Sequence, residues 1–274
     1  MTINCKGKLL NLDQPVVMGI INTTPDSFFA GSRKETIAAV VEQAARMLDA
    51  GAAILDIGGQ STRPGSVMVG ADEEAARVVP AIQAIVQRFP DVIISVDSFY
   101  ANVAKAAVEA GAAMVNDIGG GMLDENMLAT VGKLQVPYIC MHMKGTPETM
   151  QQHAFYDDVT KDVLDFFIHQ IAICQQAGIK DIIIDPGFGF AKTIDHNFSL
   201  LKNLDLLQIL GKPVLAGISR KATIYKTLGT TAEAALNGTT VLNTIALTKG
   251  AKILRVHDVQ EAVEAVKLVG KLGY

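Results

Sequence analysis

Eight short apolar runs recur along the chain, and longer stretches with a different pattern separate them. In the longer stretches, apolar residues recur near the spacing of one helix face, with charged residues between them. Strands that are buried on both faces and joined by helices form a parallel sheet. The pattern therefore predicts an α/β protein built from eight βα units. The apolar runs span 16–21, 52–57, 92–97, 112–117, 136–142, 181–185, 213–219 and 251–256.

The number of units distinguishes two parallel-sheet architectures. Eight units close a TIM barrel, which needs about 250 residues, and the chain has 274. An open dinucleotide-binding sheet carries G-x-G-x-x-G after its first strand, whereas this chain has NTTPDSF there. The similar segments DAGAAILDIGG and EAGAAMVNDIGG support a repeated unit. We therefore expect a TIM (β/α)8 barrel and, because no linker divides the chain, a single domain over 1–274.

Composition and charge exclude several classes of protein. Hydrophobic residues make up 49% of the chain and charged residues 19%, which is the balance of a globular protein with a large core. The net charge of −4 lacks the basic footprint of a nucleic-acid-binding protein. No apolar run approaches ~18 residues and no signal-length segment is present, so we expect no membrane contact and a cytoplasmic location. The three widely separated cysteines fit a reducing compartment.

Polar or ionisable residues end every predicted strand. The active site of a TIM barrel lies at the C-terminal ends of its strands. Any one of these residues taken alone is equally well explained as a cap or a solvated loop residue, but together they predict a ligand site. In strand order they are Asn22, Asp56, Asp97, Asn116 with Asp117, His142, Asp185, Ser219 to Lys221, and Arg255 with His257.

The last two strands supply the cations of this rim. Arg255 and His257 are two residues apart, so their side chains share one face of the strand. A charge at the end of a buried strand costs several kcal/mol unless it is compensated. Arg220 and Lys221 follow the seventh strand, and barrel enzymes frequently bind phosphate at this place. The cations therefore predict an anionic ligand.

The earlier strands supply hydrogen-bond acceptors. Asp97, Asn116 and Asp185 suit a ligand that presents several N–H groups, such as a pterin or a purine. The alternative is that these acids simply pair with the cations across the mouth of the barrel. The residues alone do not decide between the two.

Two loops flank the predicted site. The loop NTTPDSFFAGS at 22–32 carries Phe28 and Phe29, and GGQSTRPGS at 58–66 carries Thr62 and Arg63. A lid over the site has this composition, but so does a packed surface loop.

The chain resembles the dihydropteroate synthases of the folate pathway. The matching stretches occur in the family's order and run from 18 to 259, nearly the whole chain. They are MGIINTTPDSF, DIGGQSTRPG, SVDSF, NDIGGG, MHMKGTPETMQ, DPGFGF, GISRKA and RVHDV. The resemblance implies condensation of dihydropterin pyrophosphate with p-aminobenzoate, assisted by Mg²⁺, in a homodimer inhibited by sulfonamides.

The resemblance also implies roles for individual residues. The pterin would be held by Asp97, Asn116, Asp185 and Lys221. The pyrophosphate would be held by Asn22, Arg63, Arg255 and His257, with Asn22 also contacting the metal. The p-aminobenzoate pocket would comprise Phe28, Thr62, Arg63, Pro64, Phe190, Lys221 and the backbone of Ala222. Catalysis would rest on Asp97, Asp185, Lys221, Arg255 and His257.

Some positions depart from the family pattern. Ala30 stands where the family commonly has an acid, Gln60 where Glu is usual and Ala222 where Ser is frequent. These departures motivate one alternative, a non-catalytic pterin-binding paralogue. A second alternative is a corrinoid-dependent methyltransferase, but its folate substrate carries no diphosphate to explain SRK and RVHD.

Overall fold

The eight predicted runs form the strands of one parallel sheet in the computed structural model, which describes residues 1–23, 33–60 and 68–273, apart from the side chains of 33–36. Each strand is short, and all but β9 end within one residue of the predicted boundary. The strands are β3 (Val16–Asn22), β4 (Ile54–Gly58), β5 (Ile94–Asp97), β6 (Met114–Asp117), β7 (Tyr138–Met141), β8 (Ile182–Asp185), β9 (Leu215–Ala216) and β10 (Ile253–Val256).

The sheet closes on itself. Its strand order is β8-β7-β6-β5-β4-β3-β10-β9, and every neighbouring pair is parallel. A parallel bridge between Ile184 and Val214 joins the two ends, where the Ile184 N–H donates to the Pro213 carbonyl over 3.0 Å. The predicted TIM barrel is therefore confirmed.

Helices follow the strands and cover the outside of the barrel. The helices of the described residues are α1 (Arg33–Asp49), α2 (Ala71–Arg88), α3 (Ala101–Glu109), α4 (Met127–Leu134), α5 (Val159–Gln176), α6 (Ile194–Lys202), α7 (Ala222–Thr227), α8 (Leu236–Thr248) and α9 (Val259–Gly270). Short 3₁₀ helices lie at Met150–His153 and Leu204–Leu210. Within the described ranges, none of the helices combines the length and apolar character that crossing a bilayer requires.

An N-terminal hairpin, which the sequence patterns did not predict, precedes the barrel. It pairs β1 (Thr2–Cys5) with β2 (Lys8–Asn11) in antiparallel register. The buried side chains of Ile3, Cys5 and Leu10, together with Leu12, join the same apolar cluster as the interior residues of the barrel. The hairpin therefore completes the core at the end of the barrel opposite the C-terminal ends of the strands.

The alternation of side chains along the strands creates the site. Ile54 and Ile253 lie in the apolar interior of the barrel, while Leu254 packs outward against the helices. Because side chains alternate with period two, the residues two positions further on, Asp56 and Arg255, face the same interior. In β4, β6, β8 and β10 an apolar side chain thus fills the barrel, and a polar one follows two positions further on, at the mouth.

Candidate active site

Arg255 forms the centre of an ion-paired network at the barrel mouth. Its Nε–H donates to Asp56 Oδ2 and its Nη2–H to Asp97 Oδ2, both over 2.6 Å. Asp56 is fully buried, and Arg255 itself is mostly buried. The charge of Arg255 is therefore compensated within the barrel by two carboxylates, of which Asp97 belongs to the acids that could pair with the cations. The predicted contact of Arg255 with pyrophosphate stays a prediction.

Asp56 also orients the amide of Asn116. Asn116 Nδ2 donates to Asp56 Oδ2 over 3.0 Å, and the residue is 3% exposed. Since one end of the amide is used as a donor, its Oδ1 is the end available as an acceptor. Asn116 lies in register with Asp97 on the neighbouring strand. The two residues therefore place acceptor oxygens side by side, as predicted for a ligand with N–H groups.

Asp185 and Lys221 face each other across a glycine. The Asp185 carboxylate accepts the Gly187 N–H over 2.8 Å. A Cβ atom at Gly217 would lie 3.7 Å from Asp185 Oδ2 and 3.8 Å from Lys221 Nζ. Both charged groups therefore lie beside the same residue without a side chain.

Lys221 is fixed by the loop that follows β8. Its ammonium donates to the Phe188 carbonyl and lies 4.7 Å from the centroid of the Phe190 ring. This distance is that of a cation–π contact. Phe190 is 8% exposed. The predicted neighbours of the p-aminobenzoate pocket, Lys221 and Phe190, are thus in contact.

Burial shifts the protonation equilibria of these groups. It raises the pKa of Asp97 to about 7, against the opposing effect of Arg255. It also raises the pKa of Asp185, against the effect of Lys221. Burial lowers the pKa of Lys221 to about 8, although Asp185 acts in the opposite direction. For Arg255, burial lowers the pKa, but Asp56 and Asp97 outweigh it and the net shift is upward.

His257 lies at the exposed edge of the mouth, beside Ser219. Ser219 Oγ is 3.0 Å from His257 Nδ1 and accepts the His257 backbone N–H over 3.2 Å. Arg220 points elsewhere: its guanidinium binds Asp258 through two 2.8 Å bonds and also donates to the Ala232 carbonyl. Arg220 is one of the cations predicted after the last two strands. Its guanidinium is therefore held in a structural ion pair with Asp258.

The remaining predicted residues fall into two groups. Asn22 ends β3, half-buried, and a Cβ atom at Gly58 would lie 3.7 Å from its Oδ1. Ala222 is the first residue of α7, where backbone N–H groups lack a partner within the helix. The predicted roles of Phe28, Thr62, Arg63 and Pro64, and the departure at Ala30, lie outside the described residues.

Two functional candidates were missed by sequence reasoning. Asp56 was noted at a strand end but given no role, although an acid at such a position faces the mouth like Asp97. Lys192 is 4% exposed, in the loop after β8. Its position in DPGFGFAKT contains no periodic signal that would have indicated burial.

The closed barrel carries buried hydrogen-bond acceptors beside a lysine at its mouth. This arrangement defines the class of protein as an enzyme that binds a pterin-like heterocycle. The family model described as pterin binding enzyme matches residues 18–257. Dihydropteroate synthase of Escherichia coli (strain K12) is 43% identical over 271 residues, which cover 98% of this chain and 95% of the relative.

Solved structures agree with this class. Xanthomonas albilineans dihydropteroate synthase with 4-aminobenzoic acid has a TM-score of 0.93 and 41% identity, covering 99% of this chain and 98% of the other. Yersinia pestis dihydropteroate synthase, in a sulfonamide drug complex, also has a TM-score of 0.93 and 41% identity, covering 100% and 99%. The chain belongs to the dihydropteroate synthase family.

Proposed function

We propose that the chain condenses 7,8-dihydropterin-6-ylmethyl pyrophosphate with p-aminobenzoate to give 7,8-dihydropteroate and pyrophosphate, as a transferase of folate biosynthesis. The observation that carries the proposal is a set of acceptors at the barrel mouth, the buried Asn116 and Asp185 and the mostly buried Asp97, with Lys221 beside Asp185. The set matches the N–H edge of a pterin. It lies in a chain that shares 43% of its residues with a named dihydropteroate synthase.

The chemical step is loss of the diphosphate. The aryl amine is a poor nucleophile, so breaking the bond between the methylene carbon and the diphosphate oxygen is the demanding event. The pterin left behind carries positive charge, which Asp97 and Asp185 stabilise from fixed, buried positions. The amine nitrogen then bonds to the methylene carbon and releases a proton to water. No strong general base is needed.

The departing diphosphate develops negative charge at the cationic edge of the mouth. His257 is exposed there and is positioned by Ser219. The Arg255 guanidinium contacts Asp97, and it is proposed to act on the leaving group as well. Arg63 is proposed to contribute a further cation from its loop.

The described residues fit a Mg²⁺ ion that arrives with the diphosphate. Within the described ranges, no three His, Cys, Asp or Glu side chains lie close enough to hold a metal ion. Asn22 offers an amide oxygen beside the bare Gly58, and Mg²⁺ commonly combines one or two protein ligands with waters and substrate phosphates. When bound, Mg²⁺ would neutralise charge that builds on the leaving group.

The second substrate would lie against the loop after β8. Phe190 supplies an aromatic face, Lys221 a cation and the Ala222 backbone an N–H donor for the carboxylate of p-aminobenzoate. Phe28, Thr62, Arg63 and Pro64 are proposed to complete the pocket, and sulfonamides to compete for it. We further propose that the chain acts as one domain, in a cytoplasmic homodimer.

A two-substrate assay tests the proposal. Purified protein with dihydropterin pyrophosphate, p-aminobenzoate and Mg²⁺ is expected to release pyrophosphate and form 7,8-dihydropteroate, with both products measured. The matched variant Asp185→Asn keeps the shape of the site and should bind the pterin more weakly by calorimetry. Pterin binding by the wild type without pyrophosphate release would instead support the non-catalytic alternative.

A further inference from the structure

Lys192 has a buried amino group held by neutral acceptors, and burial lowers its pKa to about 7. Its Nζ lies 3.0 Å from His142 Nδ1, 3.0 Å from the Gly187 carbonyl oxygen and 3.1 Å from the Phe190 carbonyl oxygen. An ammonium has three N–H donors, so these contacts satisfy all of them. Burying a cation is costly unless it is hydrogen-bonded. The loop after β8 is therefore wrapped around this one amino group.

His142 gives this cation a rigid partner. The residue directly follows β7, and its backbone N–H donates to the Asp185 carbonyl over 2.9 Å. Burial lowers the pKa of its imidazole to about 2, with Lys192 adding to the effect. A neutral ring offers Nδ1 as an acceptor. The ring of Phe166 packs edge-on against it, with centroids 5.0 Å apart.

The loop that Lys192 closes carries three contacts to the proposed site. The Gly187 N–H donates to the Asp185 carboxylate, the Phe188 carbonyl accepts the Lys221 ammonium, and the Phe190 ring lies beside that ammonium. Lys192 holds the carbonyls of Gly187 and Phe190, which flank Phe188. Its ammonium thus sets the path of the backbone between Asp185 and Lys221.

We propose that Lys192 is a positioning residue for the condensation, which holds Asp185 and Lys221 in place through the backbone of 186–191 without touching either substrate. The proposal rests on the proposed function. Its physical basis is that small misplacements of binding groups cost large factors in rate, up to about 100-fold for ~1 Å.

A pair of lysine variants tests the proposal. Lys192→Met keeps the length of the side chain and removes the ammonium. Lys8→Met is the matched control, because the Lys8 ammonium also donates to backbone carbonyls, those of Pro90 and Val92, but on the hairpin side of the barrel. For both variants we would measure the melting temperature, KM for each substrate, kcat, and hydrogen exchange of peptides covering 186–191.

We expect Lys192→Met to raise KM for the pterin substrate about 10-fold or more and to speed exchange across 186–191. Lys8→Met should lower the melting temperature, but its KM and its hydrogen exchange across 186–191 should stay at the wild-type values. Wild-type KM and exchange in folded Lys192→Met would overturn the proposal and leave Lys192 a purely structural residue.

A second variant covers the case in which Lys192→Met does not fold. Lys192→Gln retains two amide N–H donors, so an intermediate KM and intermediate exchange support the positioning role, and wild-type values overturn it. If the wild type shows no turnover, the proposed function fails by itself. Hydrogen exchange and pterin affinity by calorimetry then still decide whether Lys192 orders the loop.

Discussion

Arg255 forms ion pairs with two carboxylates at the barrel mouth. Asp56, one of them, has no exposed side-chain surface, and its Oδ1 has no hydrogen-bond partner among the described residues. Without the guanidinium, both acids would remain in a buried place with no counter-charge beside them. Breaking a buried pair from one side costs far more than removing an exposed cation.

Arg255→Ala is therefore expected to destabilise the fold by about 3–5 kcal/mol, in addition to slowing turnover. Denaturant unfolding of the variant and the wild type measures the difference in free energy. The control Lys105→Ala removes one partner of the exposed i,i+4 pair with Glu109 and should cost less than about 1 kcal/mol. Equal effects in the two variants would contradict the buried network.

The lowered pKa of Lys221 predicts that activity depends on pH. Burial lowers its pKa to about 8, so the ammonium that faces Asp185 loses its proton as the pH rises through that value. A neutral amine is a weaker partner for a carboxylate, so kcat/KM should fall above about pH 8. The guanidinium of Lys221→Arg keeps its charge, so this fall should disappear, whatever the rate of the variant. A fall that persists unchanged would assign the titration to another group.

At the level of elements, the loop after β8 depends on the close approach of Gly187 to the backbone that follows β7. Gly187 has φ +71°, and a Cβ atom there would lie 2.1 Å from the His142 carbonyl oxygen. The loop can pass β7 this closely only without a side chain, and the same peptide donates to Asp185.

Gly187→Ala should therefore destabilise the protein and weaken pterin binding. The positive φ alone costs about 1–2 kcal/mol, and the clash with the His142 carbonyl adds to it. Gly211→Ala is the control, since Gly211 has φ +62° with no atom within 4 Å of the added Cβ. We would measure the unfolding free energy and the pterin affinity of both variants. The difference between them separates the backbone strain at positive φ from the clash with the His142 carbonyl. Equal losses of stability and affinity in the two variants would contradict the close approach.

The strands were predictable because apolar runs mark them, but their ends were not. The predicted run 213–219 contains only Leu215–Ala216 as strand, since Pro213 has no N–H to donate and the chain turns after Gly217. The hairpin was missed because its strands, TINC and KLLN, are not continuous apolar runs and bury only some of their side chains. The Lys6–Gly7 turn between them has positive φ at both residues, as a type I′ hairpin turn requires.

At the level of the whole molecule, the hairpin and barrel share one apolar interior. Leu12 is fully buried in it, together with residues such as Met18 and Ile253. This cluster supports the strands from the side opposite to the site. Its packing should therefore affect the stability of the fold and not the binding of the substrates.

Leu12→Ala is expected to cost about 2–5 kcal/mol of unfolding free energy, the range for a buried leucine. KM for both substrates should stay at the wild-type value under conditions where the variant is folded. Thermal and denaturant unfolding, with kinetics at low temperature, measure both effects. A changed KM would show that the hairpin side of the barrel is coupled to the mouth.

Barrel topology explains which parts of the site were predictable. Residues at strand ends must meet at one rim, so Asp97, Asn116, Asp185 and Lys221 were found without coordinates. The pairing of Arg255 with Asp56 was not, because Asp56 is 199 residues away in the chain and the pairing depends on how the barrel curves. Lys192 was not found because its burial depends on the path of a loop.

A crystal structure with dihydropterin pyrophosphate bound would show where the pterin lies. We expect pterin N–H groups within about 3.2 Å of the side-chain oxygens of Asp97, Asn116 and Asp185, with the diphosphate beside His257. A pterin bound elsewhere, or one at the mouth that makes no hydrogen bond to these three residues, would contradict this expectation.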